Sequence, residues 1–283
     1  MSISFAFDGD DVVWRQRFDR PAVYLDTFAI RAIAESDEWS VRFARGLKAR
    51  NGCWLLSAVS MGEFARFADP RHTEQAERLL AQVVPHVYLF VSDSVGAQAN
   101  RSDTDPARQS FPPADRRNLD YLSRKWAQTQ SFSETFQGMF QVVHENRDRM
   151  LETLDEVASK LVTSLAKYRQ METYRRRAKA ARPDDGRTRQ QIISGELLRE
   201  LVLDLNAPIS ANEAVDLMHA VDAVDYCDLV LLDKAWERRV NALHQRIADG
   251  GLAIPVARCW SMRNGGVDHF LEAIELWPRQ AGG

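Results

Sequence analysis

The stretch "AVYLDTFAIRAIAES", residues 22–36, decides the fold. Four apolar residues run without alternation into Asp26, and the sequence then turns amphipathic. That is the pattern of a strand buried on both faces that feeds a helix. It recurs downstream. "EWSVRFARGLKARNG" (38–52) reads as a helix with Gly52 as its stop, and "CWLLSAVS" (53–60) as a second buried strand. "MGEFARFAD" (61–69) opens another helix, "TEQAERLLAQV" (73–83) is helical, and "HVYLFVS" (86–92) is a third strand. Strands alternating with helices predict an α/β domain with a central parallel sheet.

The alternation then stops. Residues 100–132 mix Pro, Ser, Asp and Arg and read as a loop. Across 134–180 the residues Phe136, Phe140, Val143, Met150, Leu154, Val157, Leu161, Leu165, Tyr168 and Met171 recur at helical spacing. So long a stripe needs a partner, and "RQQIISGELLRELVLDL" (189–205) is the candidate, folding back as a helical hairpin or coiled coil. The alternation resumes at Ser210, which with Glu213 forms an S-x-x-E capping box for the helix carrying Asp216. "LVLLD" (229–233), "AWERRVNALHQRIA" (235–248), "AIPVARCWS" (253–261) and "VDHFLEAIE" (267–275) follow as strand, helix, strand and helix. The expected division is a core in two parts, 1–99 and 208–283, with a loop and helical insertion at 100–207.

The chain has 283 residues, and its 45% apolar content can fill a proper core. A formal charge of -3 argues against a globally basic nucleic-acid binder but leaves room for a local basic face. Three distant cysteines, Cys53, Cys227 and Cys259, fit reduced thiols better than a disulfide framework. The opening "MSISFAFDGDDVVWRQ" lacks the form of a secretory leader, and no run approaches the roughly 18 apolar residues of a membrane span. A soluble, cytoplasmic protein is expected.

Ligands of a parallel α/β sheet gather outside the carboxyl ends of its strands. Asp26 and Asp233 each end a strand. Glu63 lies early in the helix after the second strand, and Asp216 in the second turn of its own helix, so all four acids can reach one rim. Clustered carboxylates repel each other, and a divalent cation relieves them. Oxygen ligands suit Mg²⁺ or Mn²⁺, which can activate water and neutralise a scissile phosphate. Taken singly, Asp26 also reads as a helix N-cap and Glu63 as a solvated helix residue. Asp222 and Asp225 lie about 120° and 180° around the helix from Asp216 and read as solvent-facing. Asp228 reads as a turn residue, and His219 as a packed or hydrogen-bonded histidine. No His or Cys pair has zinc-site spacing.

Four segments, "AVYLDTFAI", "LLSAVSMGEF", "AVDLMHAVDA" and "LVLLDKAW", resemble in order the four motifs of PIN-domain nucleases. The resemblance covers residues 20–95 and 208–276. It implies a PIN-like three-layer fold, with Asp26, Glu63, Asp216 and Asp233 as the catalytic, metal-binding acids of a Mg²⁺- or Mn²⁺-dependent ribonuclease. It also implies a toxin or phage-defence role. Leu231 stands where the family often carries Thr or Ser, two residues before the last acid.

Residues 167–182, "KYRQMETYRRRAKAAR", add seven Lys or Arg against one Glu. Arg175, Arg176, Arg177 and Lys179, beside Tyr168 and Tyr174, form a weak candidate for RNA binding. A solvated helix end explains them equally well. The expected activity is endoribonucleolytic cleavage of single-stranded or looped RNA, with a second copy of the chain or an inhibitory protein as the other partner class. The competing expectation is a weak or inactive scaffold whose helical insertion binds protein. A haloacid-dehalogenase-type phosphotransferase would need D-x-D-x-T, and "DTFAI" has Phe28 at the second Asp. Neither G-x-x-x-x-G-K-[ST] nor G-x-G-x-x-G occurs, which disfavours a nucleotide-binding enzyme.

Overall fold

The computed structural model describes residues 1–92, 111–183, 186–206 and 209–278. An antiparallel hairpin, β1 (Ile3–Asp8) and β2 (Asp11–Gln16), precedes the central strand β3 (Ala22–Leu25). There follow α1 (Thr27–Glu35), α2 (Asp37–Arg50), β4 (Cys53–Ser57), α3 (Ala58–Gly62), a 3-10 turn (Glu63–Arg66), α4 (Arg71–Val83) and β5 (Val87–Phe90). Next come α5 (Arg116–Thr129), α6 (Phe132–Phe136), α7 (Gln141–Glu145), α8 (Arg147–Gln170), α9 (Glu172–Ala180) and α10 (Arg189–Leu203). The chain ends through α11 (Ala211–Tyr226), β6 (Leu229–Leu231), α12 (Lys234–Asp249), β7 (Arg258–Trp260) and α13 (Gly266–Glu275).

The main sheet has the order β5-β4-β3-β6-β7 with every pairing parallel. Its strands are buried throughout β3, β4, β5 and β6, and alternate residues serve two different cores. Val23, Leu25, Trp54 and Leu56 pack with Ile30 of α1, Phe43 of α2, Leu80 of α4 and Phe270 of α13. Ala22, Tyr24, Leu55 and Val230 pack with Leu197 of α10, Val221 of α11 and Val240 of α12. Helices on both faces of a parallel sheet make three layers, as the uninterrupted apolar runs require. The described residues contain no helix long and apolar enough to cross a membrane.

From β3 the chain winds outward to β4 and β5, then returns to β6 beside β3 and winds the other way. The carboxyl ends of β3 and β6 therefore flank the point where the winding reverses, the place where open α/β sheets form a crevice.

Three local expectations change. The hairpin of β1 and β2, with Gly9 at φ +63 in its tight turn, is not among the expected elements, although Asp8-Gly9 after the alternating Ile3, Phe5 and Phe7 is a hairpin signal. It closes the β5 edge: the Gln16 side chain donates to Leu89 O (3.0 Å) and accepts from Leu89 N (2.8 Å). Residues 116–129, expected as loop, form α5, capped by Asp115 through Asn118 N at 3.1 Å. The part of that expected loop before residue 111 lies outside the described residues.

The stripe over 134–180 is divided among α6, α7, α8 and α9. Gly138, at φ +87, breaks it, and Glu77 fixes the break by accepting from the Gly138 and Phe140 amides. A second helix end falls at Met171. Helix α8 packs along α11, where Ala158 meets Ala214 and Val215, and its Leu165 joins Ile192 and Leu197 of α10. At the end of α2 the left-handed residue is Asn51 (φ 52), not Gly52. Gly52 serves a close approach instead: a Cβ there would stand 2.6 Å from Pro21 O.

Candidate active site

Asp26 and Asp233 follow the two strands at the reversal point. They are held level because Leu25 pairs with Leu231 and Asp26 N donates to Leu231 O at 3.0 Å. Each begins a helix. Asp26 Oδ1 accepts from Thr27 N (2.7 Å) at the start of α1, and Asp233 Oδ1 accepts from Trp236 N (2.8 Å) at the start of α12. The capping reading of Asp26 is therefore structurally real, and it occupies one oxygen only.

Glu63 reaches the same edge through α3. Ser57, the last residue of β4, forms a reciprocal capping box with Ser60, and α3 ends as the 3-10 turn begins at Glu63. Thr27 Oγ1 donates to Glu63 Oε2 at 2.6 Å, tying the turn to the start of α1. Arg66 Nη1 lies 3.8 Å from Glu63 Oε1 and donates to Asn212 Oδ1, which anchors the turn to the start of α11.

Helix α11 contributes Asp216 and, one turn on, His219. Ser210 caps it through Glu213 N at 3.1 Å, while the Glu213 carboxylate pairs with Arg239. One half of the expected capping box is therefore formed. His219 is 3% exposed, with Nδ1 against Tyr24 OH and Nε2 3.2 Å from Glu63 Oε2. Its i+3 spacing from Asp216 is the one sequence feature that places it at the site; nothing in the sequence marks Tyr24, Thr27 or Arg66 as its companions.

The four acids sense one another across the crevice. Burial, then Glu63, push the Asp26 carboxyl up to about 7, against the opposing pull of His219. Burial, then Asp26 and Glu63, push Asp216 up to about 8. Burial disfavours the charge of His219 as well, but Glu63, Asp26 and Asp216 outweigh it and raise that pKa to about 9. Glu63 also resists burial, and His219, Thr27 and Arg66 more than offset the penalty, holding it below its ordinary value. One carboxylate thus has its cation, whereas among the described residues no Lys or Arg pairs with Asp26, Asp216 or Asp233.

Oxygen donors with no Lys or Arg beside them, whose ionisation burial opposes, fit a hard divalent cation in their chemistry. Among the described residues, however, no three His, Cys, Asp or Glu side chains stand together as a ready-made ligand set. The donor set fits; its closure is not built in.

The remaining aspartates of this region are structural. Asp222 and Asp225, expected on a solvent-facing side, are 2% and 0% exposed, because α8 and α10 cover the outer side of α11. Ser92 Oγ donates to Asp222, and Asp225 Oδ1 binds Arg189 Nη1 at 2.6 Å. Asp228 does hold a turn, accepting from Ala22 N at 2.8 Å and pairing with Arg20. In the basic segment, Arg175 donates to Arg169 O and Arg176 pairs with Glu172 at 2.6 Å. Tyr168 and Tyr174 face each other with centroids 4.6 Å apart, and Arg177 lines the small cavity beside them. Lys179 lies in the last turn of α9, a helix without a buried residue.

Fold and site together define a doubly wound α/β protein with four acids at its switch point. No protein-family model, curated protein or solved structure matches the chain.

Proposed function

We propose that the chain is a metal-dependent endoribonuclease with a PIN-like core, residues 1–99 and 208–283, interrupted by a helical insertion at 100–207. The supporting observation is the placement of Asp26 and Asp233 on the adjacent strands that flank the reversal point, with Glu63 and Asp216 brought to the same edge. Asp26, Asp216 and Asp233, with Glu63 behind them, would hold Mg²⁺ or Mn²⁺. When bound, the cation supplies a water of lowered pKa and neutralises charge on the phosphate.

The chain's own groups do the positioning. The helix caps orient Asp26 and Asp233, each leaving its second oxygen without a hydrogen bond among the described residues. Thr27 and His219 orient Glu63, and protonated His219 keeps the charge of the crevice from becoming prohibitive. A toxin or phage-defence role, with an inhibitory partner, fits such an activity.

Purified protein with Mg²⁺ or Mn²⁺ is expected to cleave single-stranded or looped RNA. Asp26→Asn and Asp216→Asn should each lose about 10²–10³-fold in rate, the scale of a removed charge-stabilising group. Wild-type cleavage that survives in both variants would sink the site. A scaffold function is the second reading: Glu63 is already engaged by protein groups, and Leu231, fully buried, offers no hydroxyl beside Asp233. Complete inactivity over diverse RNAs with both metals would favour it.

A further inference from the structure

A cavity of about 550 Å³ opens between α3, α5, α7 and the start of α8. That lies within the roughly 300–1,000 Å³ range of pockets that enclose small organic ligands. Its floor is apolar and adaptable, built from Met61, Met139, Leu122 and Val143. Its wall is one face of α5, where Arg117, Tyr121 and Arg124 recur at i, i+4 and i+7. Tyr121 is 53% exposed. Neither arginine makes an ion pair among the described residues, and no Asp or Glu lines the cavity there.

One short helix links the cavity to the acids. Ala58 and Met61, on its rim and floor, belong to the short helix that leaves β4 and delivers Glu63.

We propose that this cavity receives one nucleotide of an RNA strand, its base against Tyr121 and the methionine floor and its phosphate between Arg117 and Arg124. The proposal rests on the ribonuclease reading, because the strand it holds is the one the four acids would cleave. The chemistry singles out this occupant. Two uncompensated cations beside an apolar floor select a ligand with an anionic edge and a flat apolar face, and an upright tyrosine is the stacking platform such a base needs.

The test separates binding from cleavage. A short labelled single-stranded oligoribonucleotide is titrated with the full chain in EDTA, which suppresses metal-dependent cleavage. Tyr121→Ala should weaken binding about tenfold and Tyr121→Phe should restore it, as base stacking requires. Arg117→Ala with Arg124→Ala should lower the slope of log affinity against log salt by about 0.7, the value for the one phosphate they share on a single strand. All three residues are exposed, so thermal melting should be unchanged. Wild-type affinity in Tyr121→Ala, or no RNA binding by the wild type, overturns the pocket. Cleavage with unaltered binding in these variants would leave the nuclease standing without it. Pocket-dependent binding without cleavage in either metal would do the reverse.

Discussion

At the scale of single residues, the site is held in a state that works against the stability of the metal-free protein. Asp26 and Asp216 have folded-state pKa values raised to about 7 and 8, above the ordinary carboxylate range. Between those ranges the native state binds more protons than the unfolded state, so their contribution is complete at low pH and is lost as pH rises through about 7 to 8. His219, raised to about 9, acts in the same sense at still higher pH. His86 opposes this only on the acid side, because burial lowers its pKa. Together these groups should therefore lower the melting temperature in EDTA as pH rises from about 4 to about 9, the Asp216 share being complete by about 8. Asp216→Asn, which removes an ionisation without removing volume, should flatten the fall and stabilise the protein at pH 9 by roughly 1–3 kcal/mol, since one pKa unit corresponds to about 1.4 kcal/mol. Adding Mg²⁺ should raise the wild-type melting temperature at pH 9 and have little effect on the variant. A flat wild-type profile, or a less stable variant, contradicts the electrostatic account.

At the scale of elements, Asp26, Asp216 and Asp233 are legible because each sits at a boundary that the sequence marks, two strand ends and one capped helix. Glu63, expected in the opening turns of a helix, stands where α3 ends and the 3-10 turn begins. Asp222 and Asp225 are not legible, because their burial depends on helices distant in sequence. A helical-wheel argument assumes one wet side, and α11 has none over most of its length: the sheet lies on one side, α8 and α10 on the other. Arg189 shows the same thing from the partner's side. It opens α10 as an apparent surface cation, yet it is 2% exposed and bound to Asp225 Oδ1, Asp225 O and Pro255 O. Removing one member of a buried pair leaves an uncompensated charge and costs about 3–5 kcal/mol, against less than about 0.5 for a solvated aspartate. Asp225→Ala should show the large loss in urea unfolding, and Arg189→Met a comparable one. A loss below about 1 kcal/mol in Asp225→Ala would restore the surface reading. The hairpin of β1 and β2 and helix α5 are marked more plainly, by Asp8-Gly9 after alternating apolar residues and by Leu119, Leu122 and Trp126 at helical spacing, than the expected loop allows. Their apolar residues serve each other across the fold, as where Phe5 meets Trp126 at 5.9 Å.

At the scale of the whole molecule, the order of the sheet separates the basic segment from the chemistry. The acids lie at the carboxyl ends of β3 and β6, and α8 crosses α11 close to Asp216, where Ala158 packs on Ala214 and Val215. From Ala158 to the end of α8 at Gln170 the helix rises roughly 18 Å, and only beyond it do Arg175, Arg176, Arg177 and Lys179 begin. Helix α9 is held there on the side of α10, where Arg199 Nε donates to Ala178 O at 2.8 Å. On the ribonuclease reading, a strand bound at the acids would have to run several nucleotides before reaching these cations. Arg175→Ala, Arg176→Ala and Arg177→Ala combined should therefore weaken binding of long single-stranded RNA and lower its salt slope by about 2, the value for three phosphate contacts. Cleavage of a substrate only two or three nucleotides long should not change. Because Arg176 already pairs with Glu172 and Arg175 with a backbone carbonyl, a smaller change in slope would identify Arg177 as the main contact. An unchanged slope on long RNA would reduce the segment to a solvated helix end, and equal losses on short and long substrates would mean that the variant had disturbed the crevice itself.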